Sequence, residues 1–145
     1  MPEFAGFDHL DVRVRSLAAV EPFYDALMPL LGLPRKSYAF VDGDEWTDLA
    51  RPGGHNAVEY FEALVPGRTA RFIGFIEDPA HVPPATRIAF RAAGPFDVGA
   101  WLRRLRALGA QTVEPSADTT SYPAVFFEDP AGTKLEICAR LPAPN

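Results

Sequence analysis

The sequence predicts an α+β fold made of two tandem strand-helix-strands modules, about residues 5–78 and about 86–140, within a single domain of 145 residues. Three observations carry that expectation. An alternating segment followed by an amphipathic helix occurs near His9 and returns near Arg87, each helix ends at a glycine, and the chain closes on an apolar hairpin, AVFFEDPAGTKLEIC. Each module leaves one sheet face without cover, and pairing two of them buries both.

Phe7 to Val14 alternates, with Leu10, Val12 and Val14 on one face and His9, Asp11 and Arg13 on the other, which is the period of a strand. From Ser16 to Gly32 the apolar residues Leu17, Val20, Phe23, Tyr24, Leu27 and Leu30 recur at helical spacing, and Gly32 is a C-terminal stop. Pro22 points to a regular helix starting near Glu21 after a lead-in turn, with Pro29 distorting its last turn. Ser37 to Ala50 reads as two short strands around Asp42-Gly43-Asp44. Ala57 to Val65 and Arg71 to Glu77 read as further strands across Pro66-Gly67, and Asp78 to Ala85 as a proline-stiffened linker. His55 and His81 lie in Gly- or Pro-rich loops and read as surface residues.

The second module repeats the first. Thr86 to Ala92 sets Ile88 and Phe90 against Arg87, Ala89 and Arg91, and Phe96 to Gly109 is an amphipathic helix with a basic outer face. A shift of 78 residues carries His9 onto Arg87 and Arg13 onto Arg91, while Gly32 meets Gly109 at 77. After a short strand and the loop through Tyr122-Pro123 comes the hairpin, turned at Asp129-Pro130-Ala131-Gly132. Its last strand places Leu135 and Ile137 on one face and Lys134, Glu136 and Cys138 on the other.

The composition, 48% hydrophobic and 23% charged, is that of a folded globular chain. No run approaches the ~20 apolar residues of a membrane span, and the N-terminus lacks a secretory pattern, so a cytoplasmic protein without a membrane partner is expected. One cysteine, Cys138, excludes an internal disulfide and a CxxC metal site. A net charge of −5 argues against a nucleic-acid partner and leaves a small-molecule ligand as the better fit. If the helices cover the apolar strand faces, the opposite faces enclose a polar cavity lined by His9, Asp11, Arg13, Arg87, Arg91 and Glu136. Charges at that density must pair with each other, a metal or a ligand.

HLDVRV with the following FYDALMPLLGL, the second RIAFRA, the helix end RALGA and AVFFEDPAGTKLEI resemble the vicinal oxygen chelate superfamily, which includes glyoxalase I, extradiol dioxygenases, fosfomycin-resistance enzymes and bleomycin-binding proteins. The resemblance implies two βαβββ modules forming a U-shaped, barrel-like cleft, usually in homodimers, with a divalent metal held on the first and last strands of the modules. Carried onto this chain it makes His9 and Glu136 metal ligands, for Zn, Fe, Mn or Ni, and Glu136 the catalytic carboxylate. Arg87 stands where the second histidine is expected, and a guanidinium has no lone pair to give a metal. The first-module counterpart of Glu136 is Gly74, with Glu77 as a displaced substitute. Arg87 reads as substrate-binding, Arg13 and Arg91 either as substrate-binding or as partners for Asp11 and Glu136, and Tyr122, which matches a position where the family often has an aromatic closing over the cleft, either as substrate-binding or as a residue pinning its loop.

Three functions follow. In the one favoured by a cation at a ligand position, the metal is lost and Arg87 holds an anionic or vicinal-oxygen ligand, in a binding module or a metal-free enzyme. In the second, the protein is a divalent-metal-dependent lyase, isomerase or dioxygenase using His9 and Glu136. In the third, the fold persists without an active site, in an interaction role.

Overall fold

Two open mixed sheets, each carrying one helix, make up the computed structural model, which describes residues 1–142 and 144–145. They belong to two units, Met1–His81 and Val82–Asn145. The first contains β1 (His9–Val14), α1 (Leu17–Leu30), β2 (Arg35–Asp42), β3 (Glu45–Leu49), β4 (Ala57–Phe61) and β5 (Phe72–Glu77), in sheet order β1-β5-β4-β2-β3. The second contains β6 (Arg87–Arg91), α2 (Val98–Ala107), β7 (Gln111–Pro115), β8 (Ala124–Glu128) and β9 (Lys134–Cys138), in order β6-β9-β8-β7. Both are βαβββ modules, the first with β3 as an additional edge strand. In each, the first and last strands lie side by side and parallel, β1 on β5 and β6 on β9. Residues far apart in sequence thereby become lateral neighbours.

Helix α1 starts earlier than Pro22 implies. The Ser16 hydroxyl accepts the Ala19 N–H at 3.2 Å and Glu77 Oε2 accepts the Leu17 N–H at 2.8 Å, so the first turn is held by two side-chain acceptors. Pro22 and Pro29 both sit inside the helix. Each lacks the N–H that would bond four residues back and crowds that carbonyl with its ring, and the packing of α1 outweighs the cost. Val20, Tyr24, Leu27 and Met28 are fully buried, as are Val58 of β4 and Phe75 of β5. The Tyr24 and Phe75 rings stack at 3.7 Å, and large side chains so enclosed contribute about 1.5–3 kcal/mol each. Phe75→Ala is expected to cost this layer about 3–5 kcal/mol.

In the second unit the Asp97 carboxylate caps α2 by accepting the Ala100 N–H at 3.0 Å, and Arg104 and Arg106 lie in its last turn, where cations suit the helix dipole. The hairpin is the one its sequence predicts. Asp129 Oδ1 accepts the N–H groups of Ala131 and Thr133, at 2.8 and 3.0 Å, and Gly132 takes φ +91°, a left-handed position that a side chain would strain. Leu135 and Ile137 are fully buried on one face of β9, leaving Lys134, Glu136 and Cys138 on the other.

Candidate functional site

On β9, Glu136 is 6% exposed and lies directly opposite Phe126 of β8, with Ala89 of β6 on its other side. The Tyr122 hydroxyl donates to Glu136 Oε1. That bond, followed by burial, raises the Tyr122 phenol well above its ordinary value, so it stays a protonated donor. The loop holding Tyr122 is itself ordered. Asp118 Oδ1 accepts the N–H groups of Thr120 and Ser121 at 3.0 and 3.1 Å, the Asp118 carbonyl accepts the Tyr122 N–H at 3.0 Å, and the Ser116 hydroxyl donates to the Tyr122 carbonyl. The Arg140 guanidinium lies 4.3 Å from the centre of the Tyr122 ring.

Arg87 occupies the same face. Its guanidinium reaches across β9 to lie 4.6 Å from the centre of the Phe126 ring. Among the described residues it has no carboxylate within 4.0 Å, so the N–H fork is unengaged by protein. Arg91 is exposed at the far end of β6, in register with Cys138.

In the first unit His9, Asp11 and Arg13 share the face of β1 turned away from α1, and all three are exposed. His9 Nδ1 is 2.7 Å from Asp8 Oδ2 and Nε2 is 3.9 Å from Asp11 Oδ2, and the Asp8 bond raises the imidazole above its ordinary range. The ring stacks on Phe72 at 4.6 Å, Phe72 on Phe61 at 4.5 Å, and the Arg35 guanidinium lies 5.2 Å from the Phe61 ring centre. These four are register partners, so one aromatic rung crosses β1, β5, β4 and β2.

The next rung is Asp11, Gly74, Glu59 and Ser37. A Cβ on Gly74 would come 3.2 Å from Asp11 Oδ1 and 3.5 Å from Glu59 Cγ, so the two acids flank bare backbone. Burial first, then Asp48 and Asp11, raises the Glu59 carboxyl. Glu59 was not among the residues singled out from sequence. Its period-2 position in AVEYF, opposite the inward Val58 and Tyr60, was the available signal. His55 is also more enclosed than its loop implied: its side chain is 16% exposed and Nε2 sits 2.7 Å from Glu21 Oε1.

A family model described as the Glyoxalase/Bleomycin resistance protein/Dioxygenase superfamily matches residues 6–137. The chain belongs to this superfamily. Among solved structures, a glyoxalase/bleomycin resistance protein from Albidiferax ferrireducens T118 shares 24% identity over 93% of this chain and 98% of its own, with a TM-score of 0.60. The fosfomycin resistance protein FosX from Listeria monocytogenes, complexed with Mn(II) and sulfate, shares 19% over 96% and 95%, with a TM-score of 0.58. Lactoylglutathione lyase from Agrobacterium tumefaciens shares 16% over 94% and 95%, also at 0.58. Identities this low establish the fold. Comparison with curated proteins gives no match.

The metal positions that the resemblance implies on the first and last strands would be His9, Gly74, Arg87 and Glu136. Two of them have no donor. Gly74 has no side chain, and the Arg87 guanidinium has no lone pair. Glu77 does not substitute for Gly74: it pairs with Val14, is an odd number of residues away and so faces the helix side, and accepts the Leu17 N–H. Among the described residues no three His, Cys, Asp or Glu side chains are placed to share an ion. The residues do not fit the superfamily's metal set, and neither helix is long and apolar enough to cross a membrane.

Proposed function

We propose that this superfamily member binds a small anionic ligand without a resident metal, anchored by Arg87 on the β6-β9-β8 face. The observation behind it is the cation-π seat of Arg87 on Phe126 at 4.6 Å, with the guanidinium's donors unspent on protein. A guanidinium seated over a ring is restrained in advance, so less entropy is lost when it grips a carboxylate or phosphate with two hydrogen bonds. Arg91 and Tyr122 complete the substrate-binding set of this unit in this reading, and Glu136 is the carboxylate that faces the ligand. The protein acts as a cytoplasmic homodimer.

Titration calorimetry with inorganic phosphate and short carboxylates tests it. Arg87→Met, which keeps an apolar contact with Phe126, is expected to weaken binding about tenfold or more. Affinity unchanged in that variant excludes Arg87 as the anchor. The competing reading, a divalent-metal enzyme using His9 and Glu136, draws on the Mn(II) held by the Listeria FosX. It requires near-stoichiometric metal in protein purified without chelator and loss of that metal in His9→Ala. Arg87→His is expected to create metal affinity where the parent has none.

A further inference from the structure

We infer that the ligand is a small zwitterion whose ammonium group is held by Glu136 beside the anionic group gripped by Arg87. The inference rests on the anion-binding reading and adds the second half of the ligand.

Glu136 is the starting point. It is 6% exposed, yet the partner it holds is a neutral one, the Tyr122 hydroxyl. Among the described residues no Lys, Arg or His nitrogen lies within 4.0 Å of it. A carboxylate withdrawn from water and compensated only by a neutral donor gains from any cation that reaches it.

The hydrogen-bond inventory narrows the choice further. Tyr122 has one proton, and it is committed to Glu136. The Cys138 thiol also bonds the phenol, so what the pair offers outward is an acceptor, the second carboxylate oxygen. Among the described residues no buried side-chain polar atom lacks a partner, so that second oxygen is the part of Glu136 that meets solvent. An acceptor-only wall takes a donor, and an ammonium brings three N–H groups and the missing charge together.

Placement does the rest. Phe126 is the direct cross-strand partner of Glu136, and the guanidinium of Arg87, from the neighbouring rung of Arg87, Lys134 and Glu128, lies on the Phe126 ring, so cation and carboxylate share one face of the sheet without bonding each other. Ala89, beside Glu136 on β6, adds only a methyl and leaves that flank open. Opposite charges held apart on one face are the complement of a molecule carrying both.

The experiment compares matched triples: propionate, lactate and alanine, then phenylpropionate, phenyllactate and phenylalanine, by calorimetry on the full chain. The amine of each triple is expected to bind about tenfold or more tighter than its des-amino partner. Glu136→Gln is expected to erase that preference and keep the affinity for the simple anion. Equal affinities across a triple, or a preference that survives Glu136→Gln, overturns the zwitterion and leaves the anion reading standing. Failure of every anion, with or without an amine, overturns both. Divalent metal bound stoichiometrically and lost in Glu136→Gln also overturns it, because the carboxylate then serves the metal. Should Glu136→Gln fail to fold, the parent is titrated with N-acetylalanine, which keeps the carboxylate and loses the ammonium; binding as tight as that of alanine overturns the inference.

Discussion

Tyr122, in the loop before β8, donates its hydroxyl proton to Glu136 in the middle of β9, fourteen residues further along the chain. The bond ties an irregular segment to the most enclosed carboxylate of the last strand and decides what that carboxylate can present. The partner it faces is a phenol.

Removing the phenol oxygen leaves Glu136 buried without its donor. Tyr122→Phe is expected to cost about 1–3 kcal/mol, read from urea unfolding. A change under about 0.5 kcal/mol means the bond contributes nothing to stability. The raised Tyr122 phenol should fall toward its ordinary value of 10.0 in Glu136→Gln, measurable by near-ultraviolet absorbance.

Glu59 is raised above the ordinary 4.5 by burial and by Asp48 and Asp11, so the folded chain holds its proton more tightly than the unfolded chain. That contribution is fully present below 4.5 and is lost as pH rises through the folded value. Ionised Glu59 therefore weakens the fold at neutral pH. Glu59→Gln is expected to raise Tm at neutral pH and to leave it nearly unchanged in acid; a lower Tm at neutral pH contradicts the account.

The Asp8 bond lifts His9 above 6.5, which makes its contribution one that is present below 6.5 and lost as pH rises through the folded value. With the His9 side chain 44% exposed the effect on stability is small. The direct readout is the imidazole itself: in Asp8→Asn its titration, followed by nuclear magnetic resonance, should move down. An unmoved titration assigns the lift to some other neighbour.

Glu62 carries the opposite sign. Arg71 donates Nε and an Nη to its two oxygens, at 3.2 and 2.7 Å, and holds the carboxyl down to about 2. The stability it supplies is present above 4.5 and is lost as pH falls toward about 2. Because Arg71 is 56% exposed, Arg71→Gln should cost only about 0.5–1 kcal/mol at neutral pH, and less in acid. A cost that grows on acidification is the wrong sign for this pair.

Period-2 alternation in HLDVRV, RIAFRA and KLEIC, read without any coordinates, separates the helix-facing residues from His9, Asp11, Arg13, Arg87 and Glu136. The Asp129 turn, both glycine helix stops and the strand-helix-strands order of each module are equally local, because backbone dihedral preference and side-chain parity are set within a few residues. Tertiary structure decided everything that depends on which strand lies beside which. Parallel pairing of β1 with β5 puts Gly74 beside Asp11, and β4 then supplies Glu59; no spacing along the chain predicts that meeting. The start of α1 at Leu17 needed Glu77 from β5 as a second acceptor, and the occupation of Glu136 needed Tyr122 from a loop. Register and loop placement follow from packing over the whole sheet, where one residue of slip turns every side chain to the other face, and a local pattern holds no record of it.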